Sequence, residues 1–366
     1  MAPQHNPHRP SLFTGVSRSR TVAIGACTLA AALVFAGCGS SDDSSTPDVP
    51  TVTPATASPA PAGPAAAPAG QVIPTPAGSR DLAFDDGVVA VLDQAGTAVL
   101  RFGADGRAAE PARVTTPALT HIAGAGDGTF VGLGPGVVAR IARDGSVTTA
   151  ETADDPTAVA LTEAGQVLVG TADGRVLVLD RDLKPGRVIT GFVRVDDITV
   201  SPAGADLDDA QVVVLDNAQS SVTPIDLQDG SHGAALRAGN GATNSVVDHY
   251  GRILVANTRD GELIGFFGSP LVMRFRYPVA NGPFAVDYDD TRNLAWVSTT
   301  ANNEVVAYDL SGGEPTEKHR FGTVAQPDHI AVDDASGTVF VLSARGGLQI
   351  APPDRQTEPG PAPAGG

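Results

Sequence analysis

The sequence predicts an all-β protein, a single seven-bladed β-propeller, on three observations. First, short runs of alternating apolar and polar residues recur, as in Gly282–Glu314, where Phe284–Asp287, Leu294–Ser298 and Glu304–Asp309 are rich in β-branched and aromatic residues. Second, the same sentence returns at His329–Gly347 and Ser245–Phe266. A three- or four-stranded unit cannot bury both faces alone, so such units stack radially. Third, helical periodicity of any length is absent. A β-sandwich would not predict the repeated sentence. Six or eight blades are the neighbouring alternatives.

The first 37 residues read as a secretion signal. Arg18 and Arg20 precede an apolar run, Thr21 to Ala36, too short for a comfortable membrane span. The run ends in Phe35-Ala36-Gly37-Cys38, and small residues directly before Cys38 resemble a bacterial lipobox. Ile24-Gly25-Ala26-Cys27 fits on paper but leaves too short an apolar run before it. The resemblance implies a diacylglyceryl group on Cys38, whose paired chains give stable anchoring at the outer side of the cytoplasmic membrane. Residues 38–79, rich in Pro, Ala, Ser and Thr, are expected to be a disordered tether.

The propeller is expected over 80–351. Aligning the last residue of each unit's first strand gives Phe84, Gly124, Leu161, Val200, Val247, Val286 and Val332, spaced 37 to 47 residues apart. Four-stranded blades occupy about 40–50 residues each. Asp-Gly pairs at 86–87, 105–106, 127–128, 144–145, 173–174, 229–230 and 260–261 supply hairpin turns. After Val332 only Val339–Ser343 and Leu348–Ala351 read as strands, so the last blade is one strand short. A strand from the N-terminal side, with Gln71–Ile73 the candidate, would close the ring, although Pro74 and Pro76 argue against it; a three-stranded last blade is the alternative. The tail, 352–366, is expected to be disordered.

Composition excludes several functions. Asp and Glu number 41 against 24 Lys and Arg, for a net charge of −17. Without the first 37 residues, which hold Arg9, Arg18 and Arg20 and no acid, it is −20. Such a chain lacks the basic footprint for nucleic acid or anionic lipid. The two cysteines, Cys27 and Cys38, lie outside the predicted domain, which removes disulfides and thiolate chemistry from it.

The run Leu294–Asp309, LAWVSTTANNEVVAYD, resembles the repeats of bacterial YVTN-type propellers, and Arg252–Phe266, RILVANTRDGELIGF, is similar to NHL repeats. These runs, with VVVLDNAQSSVTPI (212–225) and ALRAGNGAT (235–243), resemble the mycobacterial LppL family of lipoproteins and its actinobacterial relatives, most densely over 213–342. That resemblance implies the fold and an envelope location, and brings no catalytic residues.

No nucleophile elbow, H-E-x-x-H, P-loop or EF-hand loop appears. The clusters Gly124–Gly128 and Gly132–Gly136 lack the strand–turn–helix context of a phosphate loop and read as turns. Propellers hold ligands near the central channel, and polar residues recur where each first strand begins. His121, Asp197, Asn244, Asp328 and His329 are therefore the candidate channel residues. A ring of carboxylates and amides suits a hard cation such as Ca²⁺, as in lactonase-type propellers. His121 and His329, on the blades flanking the first, suit a transition metal or an acid–base pair. The structural alternative is that these groups hydrogen-bond strand ends. Trp296 fills space between blades, and Asp289, Asp290 and Asn293 read as turn residues.

Arg274, Phe275, Arg276 and Tyr277 form a locally basic, aromatic run on an outer strand, a candidate partner patch or a solvated strand face. Together these features point to a monomeric, lipid-anchored binding or scaffold module for an envelope protein or ligand, without cofactor. The alternative is a Ca²⁺-dependent hydrolase of the lactonase kind.

Overall fold

The computed structural model describes residues 57–61, 63, 67–105, 111–153, 155–207, 210–343 and 345–357. The signal segment and Cys38 lie outside them. The described strands form seven antiparallel four-stranded sheets, each a blade. The first strand of each blade lies innermost: Asp81–Asp85, His121–Gly124, Pro156–Leu161, Asp197–Val200, Ala242–Val247, Pro283–Asp289 and Pro327–Asp333 for blades 1 to 7. These seven strands touch one another in a closed cycle around the axis. Every residue used for the blade alignment falls in one of them.

Strand alternation dictates the core. In blade 1, Leu82, Val89, Val91 and Leu100 face blade 7, while Ala83, Ala90, Leu92 and Val99 face blade 2. The same division around the ring gives seven apolar layers, one between each adjacent pair of blades. A two-residue period on strands buried on both faces produces this arrangement directly. Trp296 is fully buried in the layer between blades 6 and 7, with its ring 5.9 Å from that of His319. Small residues keep some layers close. A Cβ at Gly132 would meet Leu119 Cδ1 at 2.5 Å, and one at Gly170 would meet Val195 Cγ1 at 2.4 Å.

Blade 7 takes its fourth strand from the other end of the chain. Gln71–Ile73 pairs antiparallel with Leu348–Ile350, in the register Gln71 with Ile350, Val72 with Gln349 and Ile73 with Leu348. The two prolines do not interrupt this ladder, because Pro74 and Pro76 follow the strand. Between them, the Thr75 hydroxyl accepts the Gly347 N–H at 2.8 Å.

This closure corrects two boundaries. The propeller begins before residue 80, and the C-terminal part of the expected tether is docked: Ala60, Gly63 and Ala69 are all hydrogen-bonded to the propeller. The described part of the expected tail, 352–357, is likewise docked. Pro353–Arg355 forms a 3₁₀ turn, the Gln356 amide donates to the carbonyls of Gly337 and Ala351, and Thr357 bridges to Arg320. Paired backbone groups supply here what the composition lacks in apolar surface.

A chain beginning at residue 74 is expected to melt about 5–10 °C below one beginning at residue 67, because it loses the closing strand and exposes the edge of Leu348–Ala351. Calorimetry on the two chains checks this; equal melting temperatures would show that the ring needs no closing strand.

Candidate functional site

Each inner strand begins at the same end of the ring, so its first residues form one mouth of the channel. Neighbouring inner strands are not paired through their backbones. Side chains bridge them instead. Asp81 accepts the Leu82 N–H and, from blade 2, the Ile122 N–H, both at 2.8 Å. Asp197 accepts the Ile198 N–H and, from blade 5, the Ser245 N–H and hydroxyl, all at 2.9 Å. Asp287 accepts the Tyr288 N–H at 2.9 Å and, from blade 7, the Val332 N–H at 2.8 Å. Each carboxylate thus spends one oxygen on its own strand and the other on the next blade. Asn244 does the equivalent with an amide, donating to the Phe284 carbonyl of blade 6 at 2.9 Å. Charge-assisted bonds of this kind are worth about 1.5–3 kcal/mol each.

The opposite end repeats the device over the last three blades. Asp290 accepts the His249 N–H at 2.8 Å and contacts its Nδ1 at 2.9 Å, while Asp334 accepts the Asp290 N–H at 2.8 Å. Burial pushes the Asp287 carboxyl up to about 7, against two N–H donors that favour its charge. Burial, helped by the charges of Asp290, Asp289 and Asp333, raises Asp334 to about 6.

The five candidate channel residues therefore separate into two groups. Asp197 and Asn244, on blades 4 and 5, are taken up in bridging blades. His121, Asp328 and His329 gather in the sector of blades 7, 1 and 2, around Asp81. His329 Nε2 stands 3.6 Å from Asp81 Oδ1, and its Nδ1 stands 3.7 Å from Asp328 Oδ1. His121 Nδ1 contacts the Thr120 hydroxyl at 2.9 Å. The two imidazoles are driven apart in basicity. Burial lowers His121, and the nearby His329 and Arg194 add to that against the pull of Asp81. Burial also opposes charge on His329, but Asp328 and Asp81 outweigh it and raise the group above its ordinary value. At neutral pH the sector holds one neutral imidazole beside one that protonates more readily, a pairing suited to proton transfer or to gripping a ligand with both a donor and an acceptor.

Asp81 and Arg194 were not singled out from the sequence. Asp81 stands three residues before Phe84, the same offset that places His121 before Gly124, Asp197 before Val200, Asn244 before Val247 and His329 before Val332. The offset was sufficient to find it. Arg194 precedes its inner strand, where it ion-pairs with Asp196 at 2.5 Å, and no repeat marks it. Among the described residues no group of three or more His, Cys, Asp or Glu side chains is arranged to hold a metal ion.

The candidate partner patch is divided by its own alternation. It lies on the outermost strand of blade 5, Val272–Pro278. Phe275 and Tyr277 turn into the layer between blades 5 and 6, where the Tyr277 ring meets Tyr308 edge-on at 5.3 Å. Phe275 lies so close to Gly265 that a Cβ there would meet its ring at 2.2 Å. Arg276 pairs with Glu262 at 2.5 Å, and Arg274 lies over the Phe267 ring at 5.7 Å. What stays exposed is Val272, Met273 and the two arginines, so the aromatic anchors of a hot spot are spent inside the fold. A pocket of about 120 Å³ opens beside Arg252, Arg274 and Phe275. A larger one of about 390 Å³ lies near Phe192 and His232, whose rings stack at 4.8 Å.

No protein-family model and no curated protein matches the chain by sequence. Solved structures match by shape. Virginiamycin B lyase from Staphylococcus aureus superposes with a TM-score of 0.62 at 12% identity, covering 76% of this chain and 97% of that one. A chain of the Kuenenia stuttgartiensis hydrazine synthase gives 0.64 at 11% identity, over 76% and 96%. A chain of a mitotic checkpoint complex gives 0.68 at 12% identity, over 81% and 95%. The chain is a seven-bladed β-propeller; at such identities the similarity speaks to fold and not to chemistry.

Two pH effects follow. The Asp287 carboxyl ionises near 4 when unfolded and near 7 when folded, so between those values the native state holds the extra proton and stability falls as pH rises. Asp287→Asn is expected to flatten the fall in melting temperature between pH 4.5 and 7.5, read by calorimetry. An unchanged slope would assign it elsewhere. By NMR, His329 is expected to titrate above 6.5 and His121 below it; titration in the reverse order would break the assigned environment.

Proposed function

We propose that the protein is a binding or scaffold module of the bacterial envelope, held by a lipid on Cys38 and presenting the mouth face of its propeller to a protein or ligand there. The observation that carries this reading is the use made of the channel carboxylates. Asp81, Asp197 and Asp287 have both oxygens engaged with backbone N–H groups of their own and the next blade, and these bonds fasten a rigid ring of loops. Rigid scaffolds carrying broad loop surfaces are suited to recognition. The resemblance to the LppL family supports the envelope location, and the lipobox-like residues before Cys38 support the anchor.

A second reading is catalysis at the mouth by acid–base chemistry. The opposed basicities of His121 and His329 favour it, and streptogramin B lyases among the structures of similar shape show that this architecture hosts enzymes. Ester and lactone hydrolysis that requires both histidines would establish it.

The first reading is tested by in-cell photo-crosslinking of the full chain. A crosslinker at Arg259, on the mouth face, is expected to capture one envelope protein reproducibly. The same group at Tyr250, at the other end of blade 5, is not, and Cys38→Ala is expected to abolish capture. Equal capture from both positions, or none from either, would count against a mouth-face scaffold.

A further inference from the structure

The described residues that lead into the closing strand meet the mouth face of blades 5, 6 and 7 and are gripped there at Ala60, Gly63 and Ala69. At Ala60 the N–H donates to Thr300 Oγ1 at 2.9 Å, and the carbonyl accepts Gln326 Nε2 at 2.8 Å. At Gly63 the N–H donates to the Ala301 carbonyl at 2.8 Å, and the carbonyl accepts Asn303 Nδ2 at 2.9 Å. At Ala69 the N–H donates to the Gly322 carbonyl at 2.9 Å, and the carbonyl accepts Gln349 Nε2 at 2.8 Å. Ala57, three residues before Ala60, is buried against the loop holding Gly241. Ala57, Ala60 and Gly63 follow one another at three residues, the turn of a polyproline II helix.

The groups that do the gripping are built into the propeller. Thr300, Asn303 and Gln349 are fully buried. Asn303 Oδ1 accepts the Gln326 N–H at 2.8 Å, which fixes the two amides that reach Gly63 and Ala60. Asn303 and Gln326 both hold a left-handed backbone, with φ of 56°. The site also selects by size. A Cβ on residue 63 would meet the Ala301 carbonyl oxygen at 2.3 Å, so glycine alone fits, and a Cβ on Gly282 would stand 3.0 Å from Ala60 Cβ. Both backbone groups of two residues three apart are read, with a glycine required at the second. That is recognition of an extended peptide by its main chain, not incidental packing.

We propose that Thr300, Ala301, Asn303 and Gln326 form a binding site for extended peptides with glycine three residues after the first contact, occupied in the resting protein by the chain's own Ala60 and Gly63. The site reads main-chain groups and the absence of a side chain at the second position, not the covalent connection, so it accepts such a peptide from outside once the resident segment is displaced. The proposal stands on these contacts and is independent of the lipid anchor and of the histidine sector.

The test uses the full chain and a fluorescent synthetic peptide of residues 55–70. In the unaltered protein, hydrogen exchange is expected to show the amides of Ala60 and Gly63 protected, and the peptide is expected not to bind. Gly63→Val is expected to release those amides and to permit saturable one-to-one binding. In the Gly63→Val background, Thr300→Val, Asn303→Asp and Gln326→Asn each remove one hydrogen bond to the peptide with little change of size, Thr300→Val also losing the hydroxyl's bond to the Gly282 carbonyl, and the latter two retain tolerance for the left-handed backbone. Each is expected to weaken the peptide about fivefold. A peptide carrying valine for the glycine is expected not to bind. Unprotected amides at 60 and 63 in the unaltered chain would overturn the proposal. So would released amides with no peptide binding while the melting temperature holds, or binding indifferent to the three substitutions.

Discussion

Blades stacked around an axis leave the last facing the first across a seam, and the ring is shut by three residue pairs, Gln71–Ile350, Val72–Gln349 and Ile73–Leu348. Apart from the residues before that strand, which meet blades 5, 6 and 7, the apolar layers among the described residues are each local to a pair of neighbouring blades. The layer between blades 7 and 1 contains Leu348 and Ile350 beside Leu82 and Val91, with Ile73 packed against it, so the closing strand also completes an apolar layer. Joining the two ends of the chain in one sheet ties the ring without a disulfide, in a described region where no cysteine occurs.

Inside the ring the governing problem is polar. Inner strands of adjacent blades lie side by side without a shared ladder, so their axis-facing backbone groups need partners. Aspartate solves this at several seams because its two oxygens can serve two strands at once. The cost is burial of the carboxyl, visible in the raised ionisation of Asp287 and Asp334. A ring of acids in the channel of a propeller thus has a structural origin that must be subtracted before it is read as a metal or catalytic site. What remains after subtraction is the asymmetric sector around Asp81, where His121 and His329 differ in their readiness to take a proton.

The sequence made the blades legible because strand alternation and a near-constant repeat act over every unit: Val247 ends its inner strand, Val332 stands one residue before the end of its own, and Val286 lies inside its strand, which runs on to Asp289. It marked His121, Asp197, Asn244 and His329 for the same reason. It did not distinguish Asp197 from His329 in role, since whether a carboxylate meets a backbone N–H of the next blade depends on spatial register and not on residue type. Composition alone did not show that Phe275 and Tyr277 are half-buried, because an outer strand of this propeller turns one face toward the layer between blades. The segment before residue 71 was illegible for a deeper reason. Its side chains carry almost no apolar surface, and it is held through main-chain groups, which every sequence possesses alike.

The order in which those main-chain contacts occur along the chain has a mechanical meaning. Tension drawn on the chain upstream of Ala57 reaches the bonds at Ala60 and Gly63 first, those at Ala69 next, and the closing strand last. Rupture would therefore proceed from the outside inward, and the weakest, most easily remade contacts would yield before the seam of the ring is loaded. Under such a load the segment would act as strain relief: a pull that would unzip a bare propeller at its seam would free a few residues and leave the ring shut.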